Sequence, residues 1–136
     1  MVELLVVLLI LGILLALVVG ISKYIMAESA RKQTVATQRV VMNAIERFRD
    51  VTGSYPADSA DCVSLMTALL GNEASKEVLR DLSNEAWKGS GQALLDGFGE
   101  AMKYQQQGGF GGSPVLISKG ADRVFDNSDD TRSDRQ

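Results

Sequence analysis

Apolar side chains fill the start of the chain without interruption and then thin to a stripe, and both patterns have a helical period. Positions 4–21 are eighteen residues without a charge or a hydrogen-bonding side chain, broken only by Gly12 and Gly20. As a helix they reach about 27 Å, close to the roughly 30 Å hydrocarbon core of a bilayer. Beyond Ile21 the sequence turns polar, yet no helix breaker follows for thirty residues, and Ile25, Val35, Val41, Ile45 and Phe48 recur at helical spacing. The two patterns predict one helix over 2–51, about 75 Å long. Gly53 and the following Ser54-Tyr55-Pro56 supply the stop, because glycine suits the position after a helix and proline cannot continue it.

The second half breaks into shorter elements. Positions 62–70 read as a short amphipathic helix ended by Gly71, and 76–82 as another. Two strand-like stretches, 101–105 and 114–118, flank Gly108-Gly109-Phe110-Gly111-Gly112 and are expected to pair as a hairpin in a small antiparallel sheet. That glycine-rich connection is read as a turn, since it lacks the Gly-Lys-Ser/Thr ending of a phosphate loop and precedes a strand. Residues 51–136 are too few to bury a large core alone. The expected fold is therefore α+β, with the small sheet domain packed on the amphipathic half of the long helix through Val41, Ile45 and Phe48. The chain divides into an anchoring half-helix, 1–21, and a soluble domain, 22–136. The latter comprises the amphipathic half-helix 22–51 and the short helices, sheet and acidic loop of 52–136.

Charge and composition narrow the function. A secretory signal peptide would need a basic start, an apolar stretch of about 7–15 residues and a small-x-small cleavage site. Met1-Val2-Glu3 is acidic, the apolar run is longer, and bulky side chains surround Gly20-Ile21-Ser22, so a retained membrane anchor is the better reading. From Lys23 onward there are 16 acidic and 14 basic residues, which offers no basic field for nucleic acid. One cysteine, Cys62, and no histidine exclude an internal disulfide, a Cys/His zinc cluster and a His-dependent triad. No general base beside a nucleophile can be named, and the expectation is a protein that is not an enzyme.

Two features carry candidate chemistry. Glu3 is the one charge at the apolar end, where a carboxylate beside hydrocarbon calls for a partner. The free amides and dipole of a helix start offset part of that cost, by about 0.3–1 kcal/mol, so an interfacial residue and a functional one both fit. The second feature is the segment 118–130, where Asp122, Asp126, Asp129 and Asp130 place four carboxylates in nine positions. Calcium takes six to eight oxygen ligands at about 2.3–2.6 Å and suits a folded-back loop of this kind better than magnesium does. The segment is not an EF-hand, lacking the D-x-D-x-D-G start and the closing glutamate. A solvated acidic tail among Arg123, Arg132 and Arg135 is the competing reading.

The run 1–14, with one glutamate just ahead of an unbroken apolar helix and a glycine nine positions later, resembles the N-terminal helix of the type IV pilin superfamily. Within it the second half looks most like the major pseudopilin of type II secretion. Gly53-Ser54-Tyr55-Pro56 matches a Gly-x-Tyr-Pro turn, and Asp96-Gly97-Phe98-Gly99 loosely matches a D-P-W-G motif. Ser118, Gly120, Asp122, Asp129 and Asp130 fall at the positions of an ending that in that subfamily binds calcium. The resemblance implies Asp122, Asp129 and Asp130 as side-chain ligands of Ca2+, and Glu3 as the residue that pairs with a neighbour's terminal amine during assembly.

It further implies a non-enzymatic structural subunit of the bacterial inner membrane, single-pass, with its domain in the periplasm. Before assembly it would sit in membrane lipid, and would then polymerise as a helical homopolymer whose growth drives protein export. Its other partners would be minor pseudopilins, an inner-membrane assembly platform, and the prepilin peptidase of a maturation that includes N-terminal methylation. A basic leader and two mature residues are expected ahead of Met1. Lys23, Arg31 and Lys32 taken alone would orient the domain toward the cytoplasm, and such a leader reverses that. Gly20, where many relatives have proline, is expected to weaken the helix, by about 1 kcal/mol relative to alanine. The alternatives are a type IV pilus pilin for adhesion, motility or DNA uptake, and a membrane-tethered calcium-binding module that does not polymerise.

Overall fold

The computed structural model describes residues 1–87, 89 and 91–135, and the side chains of Gly20, Ile21 and Lys23 also stand outside that description. The sequence readings at Gly20 and Lys23 therefore lie outside the described residues. Helix α1 spans Val2–Thr52, in agreement with the helix expected over 2–51. Gly53 ends it in the left-handed region, φ 80°, with its amide donating to the Arg49 carbonyl at 2.7 Å. That backbone conformation is open to glycine at no steric cost. Tyr55 then folds back along the helix, donating its hydroxyl to Glu46 at 3.0 Å and accepting from Arg49 at 2.5 Å.

Only the second half of α1 is covered. The apolar side chains of 2–19 are all exposed, and one helix near the N terminus is long and apolar enough to cross a membrane. Val41, Ala44 and Ile45 are fully buried and form one wall of the core, with Phe48 partly buried beside them. Ile25, which belongs to the same periodic stripe in the sequence, is instead 59% exposed. Between the two, the contact face of α1 is polar: Thr34, Thr37 and Gln38 are all buried. Gln38 donates from Nε2 to the carbonyls of Leu116 at 3.2 Å and Thr131 at 2.7 Å. A buried amide must satisfy its donors, and Gln38 does so by tying the helix to the sheet.

Helix α2, Val63–Leu70, turns Leu65, Met66 and Leu69 into the core and stops at Gly71. Cys62, in the left-handed region at φ 61°, precedes it, with its thiol fully buried and 3.2 Å from the Met102 carbonyl. Helix α3 is Glu73–Leu79, three residues earlier than the expected 76–82. Asn72 sets its start, accepting from the amides of Ala74 at 3.0 Å and Ser75 at 3.3 Å, the arrangement for which asparagine is favoured at this position. Past Leu79 the chain tightens into i→i+3 hydrogen bonds, such as Leu82 to the Leu79 carbonyl at 3.1 Å, so 80–82 are turns rather than α-helix.

The sheet is antiparallel and small. Strand β1, Lys103–Gln105, pairs with β2, Val115–Ser118, placing Tyr104 opposite Leu116, and β2 pairs with β3, Thr131–Arg132. The hairpin expected from the sequence is present, with each strand shorter than its apolar stretch. Ala101 bridges to Leu95 instead of extending β1, and Pro114 has no amide to donate. Strand β3 was not anticipated. Leu94, Met102, Tyr104 and Leu116 complete the core from this side. The architecture is thus α+β: a long N-terminal helix, apolar at its free end, packed by its other half on a three-stranded antiparallel sheet.

Candidate functional site

Glu3 lies in the first turn of α1, exposed, at the head of the apolar run. Among the described residues no ion pair within the chain engages it. It is thus an exposed carboxylate in the first turn, where the helix dipole favours an anion, with no side-chain hydrogen bond capping the helix start.

The acidic loop is built on the turn 96–100, which the sequence reading noted only as a loose motif match. Asp96 is 4% exposed, and its Oδ1 accepts from the amides of Phe98 and Glu100, both at 2.9 Å. Its Oδ2 accepts from the Ser118 hydroxyl at 2.6 Å, and the Ser118 oxygen in turn accepts from the Gly120 amide at 3.2 Å. On the other side of the turn the Gly97 amide donates to Thr34 Oγ1 at 2.9 Å, and that hydroxyl donates to the Ala30 carbonyl at 2.9 Å. One continuous chain of hydrogen bonds thus runs from α1, through the turn, to the end of β2 and the entrance of the loop.

Within the loop the carboxylates hold backbone. Asp129 Oδ2 accepts from the amides of Ala121 at 2.9 Å and Asp122 at 3.1 Å. Asp122 accepts from the Val124 amide at 2.9 Å and from Asn127 Nδ2 at 2.6 Å. Asp130 Oδ2 accepts from the Asp126 amide at 2.8 Å. The loop closes tightly at Gly120, φ 68°, where an added Cβ would stand 2.5 Å from Asp129 Oδ2. Basic side chains surround it: Lys119 and Arg123 each approach Glu100 at 3.4 Å, and Lys119 stands 5.2 Å from the centre of the Phe125 ring.

Asp122 and Asp129 are therefore brought together, while Asp130 turns its Oδ2 to Asp126. Among the described residues no three acidic side chains gather as a ready-made metal cluster. The donor chemistry is nonetheless that of a hard cation, since every candidate ligand is an oxygen. Asp130 Oδ1 is also buried without a hydrogen-bond partner, a state that costs free energy unless something satisfies it.

Protein-family models, curated proteins and solved structures contain no match to this chain. The functional reading accordingly rests on the chain's own chemistry and on the resemblance in its motifs.

Apolar periodicity on the helix does not reveal Thr34 and Gln38, and the loose motif match at Asp96 and Gly97 does not disclose that the turn holds the loop. An available signal was Asp96-Gly97 itself, a dipeptide that marks turns. The polar face of α1 gave none, because Thr34, Thr37 and Gln38 are polar types that usually face water.

Proposed function

We propose that this chain is a non-enzymatic filament subunit of pilin-like architecture, most similar to the major pseudopilin of type II secretion. In this reading the apolar half of α1 holds the subunit in the bacterial inner membrane as a single pass, with the domain in the periplasm. The subunit then polymerises through that helix, and growth of the filament drives protein export. The observation supporting it is the division of α1: an unbroken helix carries exposed apolar side chains on one half and the domain on the other. Such a surface has two stable environments, lipid tails and the same surface on neighbouring copies, and assembly exchanges one for the other. The partners implied are further copies, minor pseudopilins, an assembly platform and the maturation peptidase.

Glu3 is assigned the register check. Packed among apolar helices, an unpaired carboxylate is costly, and a correctly placed neighbour's terminal amine removes the cost. Glu3→Ala is expected to abolish or strongly slow filament growth while leaving membrane insertion intact, as counted by electron microscopy of sheared filaments and by membrane fractionation. Filaments of normal number and length in that variant would sink the assignment and favour the tethered module that does not polymerise. The other pilus-type reading, a type IV pilin, draws less support because those subunits often close a C-terminal disulfide loop that a single cysteine cannot form.

Calcium is proposed as the ligand of the acidic loop, held by Asp122, Asp129 and Asp130; it would supply positive charge among mutually repelling carboxylates. Saturating calcium is expected to raise the melting temperature of the full chain in detergent relative to a chelator. The shift corresponds to about 2–3 kcal/mol at one hundred times Kd. Asp129→Ala also frees the Ala121 and Asp122 amides, so the decisive quantity is the calcium dependence rather than the absolute melting point. A wild-type chain whose melting is indifferent to calcium would reduce the loop to a self-bonded acidic turn.

A further inference from the structure

A groove of about 400 Å3 runs between α1 and the C-terminal segment, and it is lined by Arg31, Arg39, Arg132 and Arg135 with Asp130 as its one acidic side chain. The guanidinium of Arg132 is engaged by Asp134, through Nε at 3.1 Å and NH2 at 3.2 Å. Arg31 and Arg135 form no ion pair among the described residues. Arg132 is paired with Asp134 and Arg39 also has a partner, so Arg31 and Arg135 stand against one aspartate, Asp130, and leave the groove net positive. Ser128 and Thr131 add hydroxyl donors to the same lining. Convergent guanidinium forks with hydroxyls beside them form the donor set that recognises phosphoryl oxygens.

The position of the groove suits a particular source. Exposed apolar side chains continue along α1 to Ile25 and Met26, so Arg31 follows the last of them by five residues, about 7.5 Å of helix. The headgroup layer on each side of a bilayer's hydrocarbon core is about 5–7 Å thick. With the apolar half of α1 in lipid, the mouth of the groove meets the headgroups.

We propose that this arginine-lined groove is a site for a phosphoryl oxyanion, filled by an anionic lipid headgroup while the subunit waits in the membrane or by free phosphate when one is at hand. The inference rests on the membrane-anchored reading of α1 and is independent of polymerisation. It gives the domain a second hold on the bilayer surface, at the level where α1 leaves it.

The test uses the full chain in an uncharged detergent, titrated calorimetrically with inorganic phosphate and with short-chain, water-soluble phosphatidylglycerol and phosphatidylcholine. Phosphatidylglycerol is expected to bind and phosphatidylcholine, which would present its choline to the arginines, to bind far more weakly. Arg31→Gln and Arg135→Gln should each weaken binding about fivefold, whereas Arg80→Gln, at the end of α3 and outside the groove, should not. Competition by inorganic phosphate identifies a general phosphoryl site, and lipid binding without it identifies the headgroup as the source; both support the inference. Absence of binding by both anions, or binding untouched by the two groove substitutions, overturns it. Flotation of the same chain with neutral vesicles reports the anchor separately. A chain that floats but binds no phosphoryl group refutes the groove alone, and one that binds but does not float supports the groove and refutes the anchor.

Discussion

Replacing Gly97 with alanine is expected to destabilise the domain by about 3 kcal/mol, the upper part of the range for forcing atoms into a packed site. The added Cβ would fall on the backbone of α1, against the Ala30 carbonyl oxygen and 2.7 and 2.8 Å from its carbonyl carbon and Cα. A flexible side chain could swing away from such an intrusion, but helix backbone cannot. The turn 96–100 must lift instead, and in lifting it surrenders the Thr34 hydrogen bond to the Gly97 amide. Thermal unfolding of the full chain in detergent should show a fall on the order of 10 °C for a domain of this size. A melting point within two or three degrees of wild type, by the same measure, would mean that the turn has slack that the close approach does not suggest.

The second large effect is expected at Asp96. Asp96→Ala leaves the amides of Phe98 and Glu100 and the hydroxyl of Ser118 without their acceptor, and partly buried donors left unpaired cost about 1–3 kcal/mol each. Some of this is recovered by water, so a total of about 3 kcal/mol is expected. Asp96→Asn distinguishes geometry from charge. Its amide oxygen can still accept from both backbone amides, and its NH2 can donate to a reversed Ser118 hydroxyl, so the loss should be about 1 kcal/mol. Equal losses for the two substitutions would show that the negative charge, not the hydrogen bonds, is what the turn requires. Because Gly97 and Asp96 act on one turn, the double variant should lose less than the sum of the two.

What could be read in the sequence follows from how each element signals. The long helix announces itself through eighteen apolar positions and then a periodic stripe, and its end through a glycine that the structure places in the left-handed region. The hairpin was legible from its two apolar stretches and the glycines between them. Helix α3 was misplaced by three residues because its start is written in a single polar residue, Asn72, and not in its apolar spacing. A two-residue strand such as β3 has no period to detect; Thr131 joins the sheet because Ser118 stands opposite and Gln38 reaches its carbonyl.

At the candidate site the carboxylates themselves were visible, and their mutual arrangement was not. The pairing of Asp129 with the amides of Ala121 and Asp122 depends on the chain closing at Gly120, and that closure hangs on Ser118 and Asp96. Asp96 is 22 residues from Ser118 in sequence, so no local pattern could have connected them.

Cys62 has a practical consequence for all of these experiments. It is the only sulfhydryl in the chain, fully enclosed between α2 and the strand-side core, and burial with Asp61 nearby pushes its thiol up, away from the reactive thiolate. Alkylating reagents react with thiolate that solvent can reach. Modification of the intact chain therefore waits on an opening that separates α2 from Met102, and its rate measures how often that opening occurs. Since no label has to be introduced, the same reaction clocks the domain in a micelle, in a bilayer and within an assembled polymer, and shows directly whether neighbours in a filament slow its breathing.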